Sequence, residues 1–334
     1  MPIVFVLMML WTALPVMGGG YKSESGPYRV DVTDRITLDD ARRDAPLTAR
    51  VYAPVRSDDE ADPEPFPLVV FSHGLGGSRA AFERECNHWA SHGYVVVCPE
   101  HTDSGAMRED RQRGRAMLRS PEHWERRVLD QKLVIDRIET WAAQVEALGA
   151  GDIDQERIAS AGHSFGAHTS VLMGGALVDT GEQDLTSHRD ERIDCVVAIS
   201  NQGVGAMGFA EKSWAPMHLP VLFVTGTKDG GQRGMTPEDR LRAFELAPPG
   251  DKHALLIENA SHSSFQERSG RRSSLRSGNA AETYRAIAHH TRQVVLAFLD
   301  AHLKGDEKAI AYLSTAGDEG PAAVGDSRAA FRSR

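Results

Sequence analysis

A serine flanked by glycines lies near the middle of the chain, in the pentapeptide Gly-His-Ser-Phe-Gly at positions 162–166. Residues 157–161 predict a short strand before it, and a helical pattern begins at Ala167. In a G-x-S-x-G turn between a strand and a helix, the serine takes a strained backbone conformation that exposes its hydroxyl. The glycines are required because side chains there would collide with neighbouring segments. This setting predicts that Ser164 is a nucleophile, with an ordinary glycine-rich turn as the structural alternative.

A serine nucleophile needs a base to accept its proton, and the base needs a carboxylate to orient it. In proteins with this turn the chain order is serine, acid, histidine. His262 follows the last predicted strand, 254–257, in the loop where the base is expected. The other histidines considered for this role occupy strand or helix positions typical of packing or surface residues: His168, His253, His289 and His290. We therefore predict that His262 is the base.

The predicted acid is Asp229, just past the apolar run 221–224. A carboxylate at the C-terminal end of a buried strand points to the edge of the sheet that carries ligand sites in α/β proteins. The structural alternative is a turn aspartate before a glycine, which is a common pairing. The end of the preceding predicted strand offers only Ser200 and Asn201, and neither is a carboxylate.

Backbone amides are expected to stabilise the negative oxygen that forms during acyl transfer, and losing one donor costs about 3–4 kcal/mol. One donor is the amide after the nucleophile, which is that of Phe165. The second comes from a loop after an earlier strand, and Ser-His-Gly-Leu-Gly-Gly at 72–77 follows the apolar run 68–71. We assign this second donor to the amide of Leu75. Without the serine motif, the same segment reads as a flexible turn.

The elements that position these residues alternate along the chain. Continuous apolar runs bounded by turn residues predict strands buried on both faces at 68–71, 94–97, 193–199, 221–224 and 254–257. Helical patterns lie at 80–92, 128–148, 167–177, 237–246 and 280–303, and two further strands are predicted at 28–38 and 47–54. The prediction is an α/β fold with a mostly parallel, doubly wound sheet and an antiparallel N-terminal start.

Three regions of the chain are distinguished by composition. Residues 1–20 are mostly apolar and predict a secretory signal peptide, hence a periplasmic or extracellular protein, with an uncleaved membrane anchor as the alternative. Residues 27–304 form the predicted catalytic domain. The Ala/Gly/Asp-rich residues 305–334 are predicted to be a flexible tail.

Charge and cysteine usage exclude several functions. A net charge of −9 and a pI near 5.9 disfavour nucleic acid as a partner, because binding phosphates requires a basic surface. No Cys/His cluster has the spacing of a zinc site, so neither a metal nor another cofactor is expected. Cys86, Cys98 and Cys195 are expected to be small buried hydrophobic residues, although one disulfide is compatible with export.

The loop at 71–76 together with the pentapeptide at 162–166 resembles the platelet-activating-factor acetylhydrolase branch of the α/β-hydrolases. The chain is also similar, around Gly226 and Asp229, to bacterial dienelactone-hydrolase-like proteins. The resemblance runs from about residue 28 to residue 303. It implies the α/β-hydrolase fold and an intracellular or secreted serine esterase acting on short acyl groups, with Ser164 as nucleophile and Leu75 and Phe165 as oxyanion donors.

Two departures from those families limit what the resemblance implies. The acetylhydrolases place their acid after the strand that corresponds to 193–199, where this chain has Ser200 and Asn201. Dienelactone hydrolases use a cysteine nucleophile, whereas position 164 is serine. Phospholipid specificity is therefore an alternative to a short-acyl esterase, and a non-catalytic binding protein of the same fold is a third reading. A serine peptidase of this fold would need an added propeller or cap, for which the chain has no room.

Two residues are predicted to contact the substrate. His101 follows a predicted strand at the catalytic edge, and Trp214 lies in the glycine-containing segment 202–216, which is either an apolar wall or simply a long crossover loop. The expected partner is a small-molecule or lipid ester, with peripheral contact to a membrane or lipid aggregate as a further possibility.

Overall fold

The computed structural model describes residues 21–57, 64–231, 234–266, 279–319 and 328–334. The predicted leader, 1–20, lies outside these residues. The strands in chain order are β1 (Arg29–Leu38), β2 (Leu47–Val55), β3 (Phe66–Ser72), β4 (Val95–Pro99), β5 (Ile153–His163), β6 (Leu177–Val178), β7 (Thr186–Ser187), β8 (Cys195–Ile199), β9 (Val221–Lys228), β10 (Lys252–Ser261) and β11 (Ala329–Ser333).

Nine of these strands form one sheet in the order β1-β2-β4-β3-β5-β8-β9-β10-β11, and β6 pairs with β7 separately. The neighbours from β4 to β10 in this order all pair in parallel. The pairs β1–β2 and β2–β4 are antiparallel, as is β10–β11 at the other edge. The predicted mostly parallel sheet with an antiparallel start is confirmed.

Helices cover both faces of the sheet. They are α1 (Glu83–Ser91), α2 (Ala106–Glu109), α3 (Arg111–Met117), α4 (Pro121–Asp136), α5 (Ile138–Ala142), α6 (Phe165–Met173), α7 (Pro237–Leu246), α8 (Asn279–Leu303) and α9 (Glu307–Glu319), with a 3-10 helix at Glu211–Trp214. Side chains alternate between the faces of a strand. In β3, Leu68 and Val70 accordingly enter the core on the side of Trp141, while Val69 and Phe71 enter the one on the side of Trp89.

The single helix predicted at 128–148 is two helices in the structure. Helix α4 ends at Asp136 and α5 begins at Ile138, because Arg137 between them has φ −124° and leaves the helical region. Trp141 remains buried, and its indole N–H donates to the Val134 carbonyl at 2.8 Å across the break. The apolar periodicity identified the buried face but did not locate the break.

The prediction of a flexible tail at 305–334 is wrong for the described part of that segment. Helix α9 occupies Glu307–Glu319, and β11 pairs with β10 from Ala329 to Ser333. Phe331 is 4% exposed and packs in the core beside α8. The Ala/Gly/Asp-rich composition did not predict β11, because this strand is held by backbone pairing to an open sheet edge. Such pairing requires few apolar residues.

The three cysteines are buried and unpaired, which confirms the preferred interpretation. Cys86 Sγ on α1 lies 3.7 Å from Cys98 Sγ on β4, and Cys195 lies apart from them on β8. Across the described ranges, no helix has the length and apolarity needed to cross a membrane.

We expect Phe331→Ala to lower the free energy of unfolding by about 3 kcal/mol, because it removes a buried aromatic ring. Urea denaturation measures the change. Arg328→Ala is the matched control, since this exposed side chain precedes the strand and should change stability by less than about 0.5 kcal/mol. Equal stability of the two variants would show that β11 is not packed on the sheet.

Candidate active site

The backbone around Ser164 forms the sharp turn that the glycine spacing predicts. Strand β5 ends at His163, α6 begins at Phe165, and Ser164 between them has φ 56°, in the left-handed region. A Cβ at Gly162 would overlap the backbone of Gly166, and a Cβ at Gly166 would overlap the Ser72 carbonyl. Glycine is therefore required at both positions, because no side chain fits where these backbone segments touch.

The structure brings Ser164, His262 and Asp229 together in hydrogen-bonding order. The Ser164 hydroxyl donates to His262 Nε2 at 2.9 Å, and His262 Nδ1–H donates to Asp229 Oδ1 at 2.9 Å. The imidazole is 39% exposed, whereas the Asp229 carboxylate is fully buried. This arrangement leaves the serine and histidine open to a ligand and keeps the acid away from water.

Asp229 is held in place by groups behind it. Its second oxygen, Oδ2, accepts a hydrogen bond from the Thr225 hydroxyl at 3.0 Å, and Arg240 Nε lies 3.2 Å from Oδ1. Burial opposes ionisation of this carboxyl, but the hydrogen bond from His262 and the charge of Arg240 outweigh it and lower its pKa. Asp229 is therefore the ionised partner that an orienting acid must be.

Arg240 was not identified from the sequence. It lies on α7, is 3% exposed, and donates to the backbone carbonyls of Ser200, Asn201 and Asp229 at 2.7–2.9 Å. Arg240 thus connects the end of β8, which carries no carboxylate, to the loop after β9, which carries Asp229. A signal was present, since an arginine is otherwise rarely placed on the buried face of an amphipathic helix.

His163, the second residue of the pentapeptide, links the serine turn to the histidine loop. Its Nε2–H donates to the His262 carbonyl at 3.1 Å, and its Nδ1 accepts from the Gln266 amide at 3.0 Å. Burial, together with the nearby His262, lowers the pKa of His163 to about 3, so this ring is neutral and acts as a fixed hydrogen-bonding spacer. Sequence reasoning gave this position no role.

The two proposed oxyanion donors lie at the ends of segments that pack together. Phe165 is the first residue of α6, so its amide has no partner within the helix. In the loop after β3, the Gly76 amide donates to Asp103 at 3.0 Å and the Gly77 amide to the Gly74 carbonyl at 3.0 Å. The Leu75 amide has no acceptor within the described ranges, which leaves it available to a ligand.

A buried ion pair supports the loop after β3. Arg127 on α4 donates to both oxygens of Asp103 at 2.8 and 3.0 Å and to the His73 carbonyl at 2.8 Å. Its guanidinium also lies over the Phe165 ring, 4.1 Å from the centroid. Burial opposes ionisation of Asp103, yet the Arg127 charge holds the pKa of that carboxyl well below its usual range. Arg127 therefore contacts the segments that carry both proposed donors.

The prediction that His101 contacts the substrate is wrong. Its side chain is buried, with Nδ1–H donating to Asp130 at 2.8 Å and Nε2 accepting from the Ser72 hydroxyl at 2.9 Å. The Ser72 hydroxyl in turn accepts from the Gln131 amide at 2.8 Å. Asp130 directly, and Gln131 through Ser72, thus hold His101 under the loop after β3, where it supports the site from below.

Trp214 also lies away from the site. It is fully buried, and its ring packs 4.6 Å from that of Phe209 and 6.2 Å from that of Phe223. The segment 202–216 is consequently fastened to the core by its aromatic residues. The prediction that Trp214 binds substrate is corrected, because burying such a large ring outweighs presenting it at the surface.

A parallel sheet, a strained serine at the strand–helix turn after β5, and a histidine and a carboxylate after later strands define the α/β-hydrolase fold. The chain has this fold. A ferulic acid esterase from Streptomyces cinnamoneus shares the fold, with a TM-score of 0.58 and 20% sequence identity over 86% of this chain and 94% of that one.

Sequence comparison finds similarity to one family. The profile of the platelet-activating factor acetylhydrolase, isoform II family matches residues 45–132. The platelet-activating factor acetylhydrolase of Gallus gallus is 42% identical over 57 residues, covering 17% of this chain and 14% of that protein. That of Bos taurus is 22% identical over 236 residues, covering 60% of this chain and 48% of that protein. The chain thus spans about half or less of these relatives.

We expect Gly166→Ala to destabilise the protein by about 3 kcal/mol or more, because the new methyl group meets a backbone carbonyl that has no room to move. Thermal unfolding measures the change. Gly149→Ala is the control, since that glycine is exposed and its added Cβ would meet only the Asp152 carboxylate at 3.3 Å. A Gly166→Ala variant as stable as the control contradicts the close approach of these segments.

We expect Arg127→Met to lower the free energy of unfolding by about 3–5 kcal/mol, because it leaves the buried Asp103 carboxylate without its cation. Adding Asp103→Asn to this variant should restore part of the loss, since the uncompensated charge is then gone. Urea denaturation of the single and double variants tests this. Arg126→Met on the same helix is the control. Strictly additive losses would mean that the two side chains do not interact.

Proposed function

We propose that the chain is a serine carboxylic-ester hydrolase that acts through an acyl-enzyme on Ser164. The observation that carries this proposal is the continuous hydrogen-bonded series from the Ser164 hydroxyl through His262 to the buried Asp229, with 2.9 Å at each step. The amides of Leu75 and Phe165 supply the electrostatic partner that such a series requires. A solely structural role does not explain a strained serine beside a partly exposed imidazole.

In the proposed reaction, His262 Nε2 accepts the hydroxyl proton while Ser164 Oγ attacks the ester carbonyl carbon. The carbonyl oxygen becomes negative and receives hydrogen bonds from the Leu75 and Phe165 amides, each contributing about 3–4 kcal/mol to the transition state. Asp229 keeps the proton on Nδ1 and stabilises the imidazolium that forms. The imidazolium then protonates the departing alcohol, and water activated by His262 releases the acid and restores Ser164.

The proposal is tested by labelling with a fluorophosphonate and by hydrolysis of p-nitrophenyl esters of increasing acyl length. We expect the wild type to label and to hydrolyse short acyl esters best. Ser164→Ala and His262→Ala should abolish both activities, whereas Ser263→Ala and His218→Ala should retain them, because those side chains are exposed and outside the hydrogen-bonded series. A wild type that neither labels nor hydrolyses any ester would support the non-catalytic binding alternative.

The Asp229→Asn variant tests whether Asp229 is the acid of the proposed mechanism. The amide leaves the space filled but favours the wrong tautomer of His262, and we expect kcat to fall on the order of 10³–10⁴-fold. Rates with p-nitrophenyl acetate measure this loss, and circular dichroism confirms folding. Near-full activity of this variant would remove Asp229 from the mechanism while leaving Ser164 and His262 in place.

A phospholipid acyl hydrolase is the second candidate, favoured by the match of residues 45–132 to the acetylhydrolase family. The location of the proposed acid favours a distinct branch, because Asp229 follows β9 whereas the residues after β8 are Ser200 and Asn201. Hydrolysis of a phospholipid with a short sn-2 acyl chain, compared with a soluble ester of the same acid, separates the two candidates. A rate that rises sharply once the lipid aggregates would indicate action at a lipid surface.

We also propose that the protein is exported, on the basis of the apolar composition of residues 1–20. Cell fractionation followed by N-terminal sequencing tests this. A mature protein outside the cytoplasm that starts after this segment supports a cleaved signal peptide, and a membrane-bound protein that retains it supports an anchor.

A further inference from the structure

A group of metal-ligating side chains lies far from Ser164, at the opposite end of β10. Asp251, His253 and His302 each offer one ligand atom, and these atoms lie within 4.8 Å of one another, the one such group found across the described ranges. Asp251 immediately precedes β10, His253 is its second residue, and His302 is near the end of α8. Since β10 ends at Ser261, next to His262, about 30 Å of extended strand separates this group from the catalytic edge.

The hydrogen bonding of the histidine nitrogens in this group favours a bound ligand. His253 is 6% exposed, and its Nδ1 bonds to the Ser333 hydroxyl at 2.8 Å. His253 Nε2 and His302 Nε2 are buried and have no hydrogen-bond partner within the part of the chain that the structure describes. A buried polar atom without a partner costs about 1–3 kcal/mol, and a ligand bound to both of these atoms would remove that cost.

Aromatic packing accounts for the rings but not for these nitrogens. The His253 ring stacks on Phe331 at 5.4 Å and meets Phe298 edge-on at 5.7 Å, while His302 packs on Phe298 at 4.6 Å. Apolar side chains would fill the same space without leaving two nitrogens unpaired.

The charges around the group leave it open to a cation. The nearby cations bond elsewhere: Lys252 Nζ donates to the His218 and Gly250 carbonyls, and the Arg334 guanidinium donates to those of Phe244 and Glu245.

We propose that Asp251, His253 and His302 form a binding site for a late first-row divalent cation, with Zn²⁺ as the best match. Two imidazoles and a carboxylate suit zinc, and water completes a tetrahedron. The Ser333 contact to His253 Nδ1 has the form of the outer hydrogen bond that orients a metal-bound histidine. Because Ser333 lies on β11, the cation would join β10, α8 and the C-terminal strand, and its role is structural.

Zinc titration of the full chain, prepared without a polyhistidine tag and stripped with a chelator, tests this site. We expect one equivalent of Zn²⁺ to bind with a Kd in the micromolar range or tighter and to raise Tm by several degrees, since a ligand that binds only the folded state stabilises it. Co²⁺ in place of Zn²⁺ should give the visible absorption bands of a tetrahedral nitrogen–oxygen site.

His253→Phe and His302→Phe keep an aromatic ring at each position and remove the nitrogens. Each should weaken zinc binding at least 10-fold and abolish the rise in Tm, while His218→Ala, which changes an exposed histidine, should leave both unchanged. Zinc binding by the wild type no tighter than by the His253→Phe variant would overturn the proposal. Ester hydrolysis should be the same with and without zinc, so the outcome is independent of the function proposed for Ser164.

Discussion

The approach of Gly166 to the carbonyl of Ser72 is the constraint on which the rest of the catalytic edge depends. It seats the start of α6 directly against the end of β3, where a Cβ would overlap the carbonyl oxygen. This contact places the strained Ser164 and the Phe165 amide beside the loop that carries Leu75. Since both sides of the contact are backbone, their separation is set by the sheet rather than by adjustable side chains, which is the preorganisation that oxyanion stabilisation requires.

Buried arginines stabilise the two sides of this edge in the same way. Arg127 binds Asp103 and the His73 carbonyl beneath the loop after β3, and Arg240 binds the carbonyls beside Asp229. Such groups are costly to bury unless they are paired and fully hydrogen-bonded. Here the two arginines donate hydrogen bonds to loop carbonyls that would otherwise lack partners. These bonds offset the cost of burying the guanidinium groups and make the loops rigid.

The two ends of β10 carry separate chemistry. His262 follows its C-terminal end and completes the proposed catalytic series, while His253 lies near its N-terminal end among the residues proposed to bind a cation. β10 is the penultimate strand of the sheet and pairs with β9 on one side and with β11 on the other. A ligand at the N-terminal end would fasten the last strand of the sheet and α8, whereas the C-terminal end opens toward a substrate.

The sequence by itself determined the alternating α/β order, the strand–turn–helix at Ser164 and the loops that carry Asp229 and His262, because these depend on local periodicity and on glycine at sharp turns. Only the tertiary structure decided which polar residues reach the site. His101 and Trp214 follow the right strands but turn into the core, and Arg127 and Arg240 come from helix faces that periodicity marks as buried. The ordered β11 and the meeting of His253 with His302 likewise join residues distant in sequence. Local pattern predicts which face of an element is buried, whereas pairing across the sheet and burial of charge depend on neighbours that only the folded chain supplies.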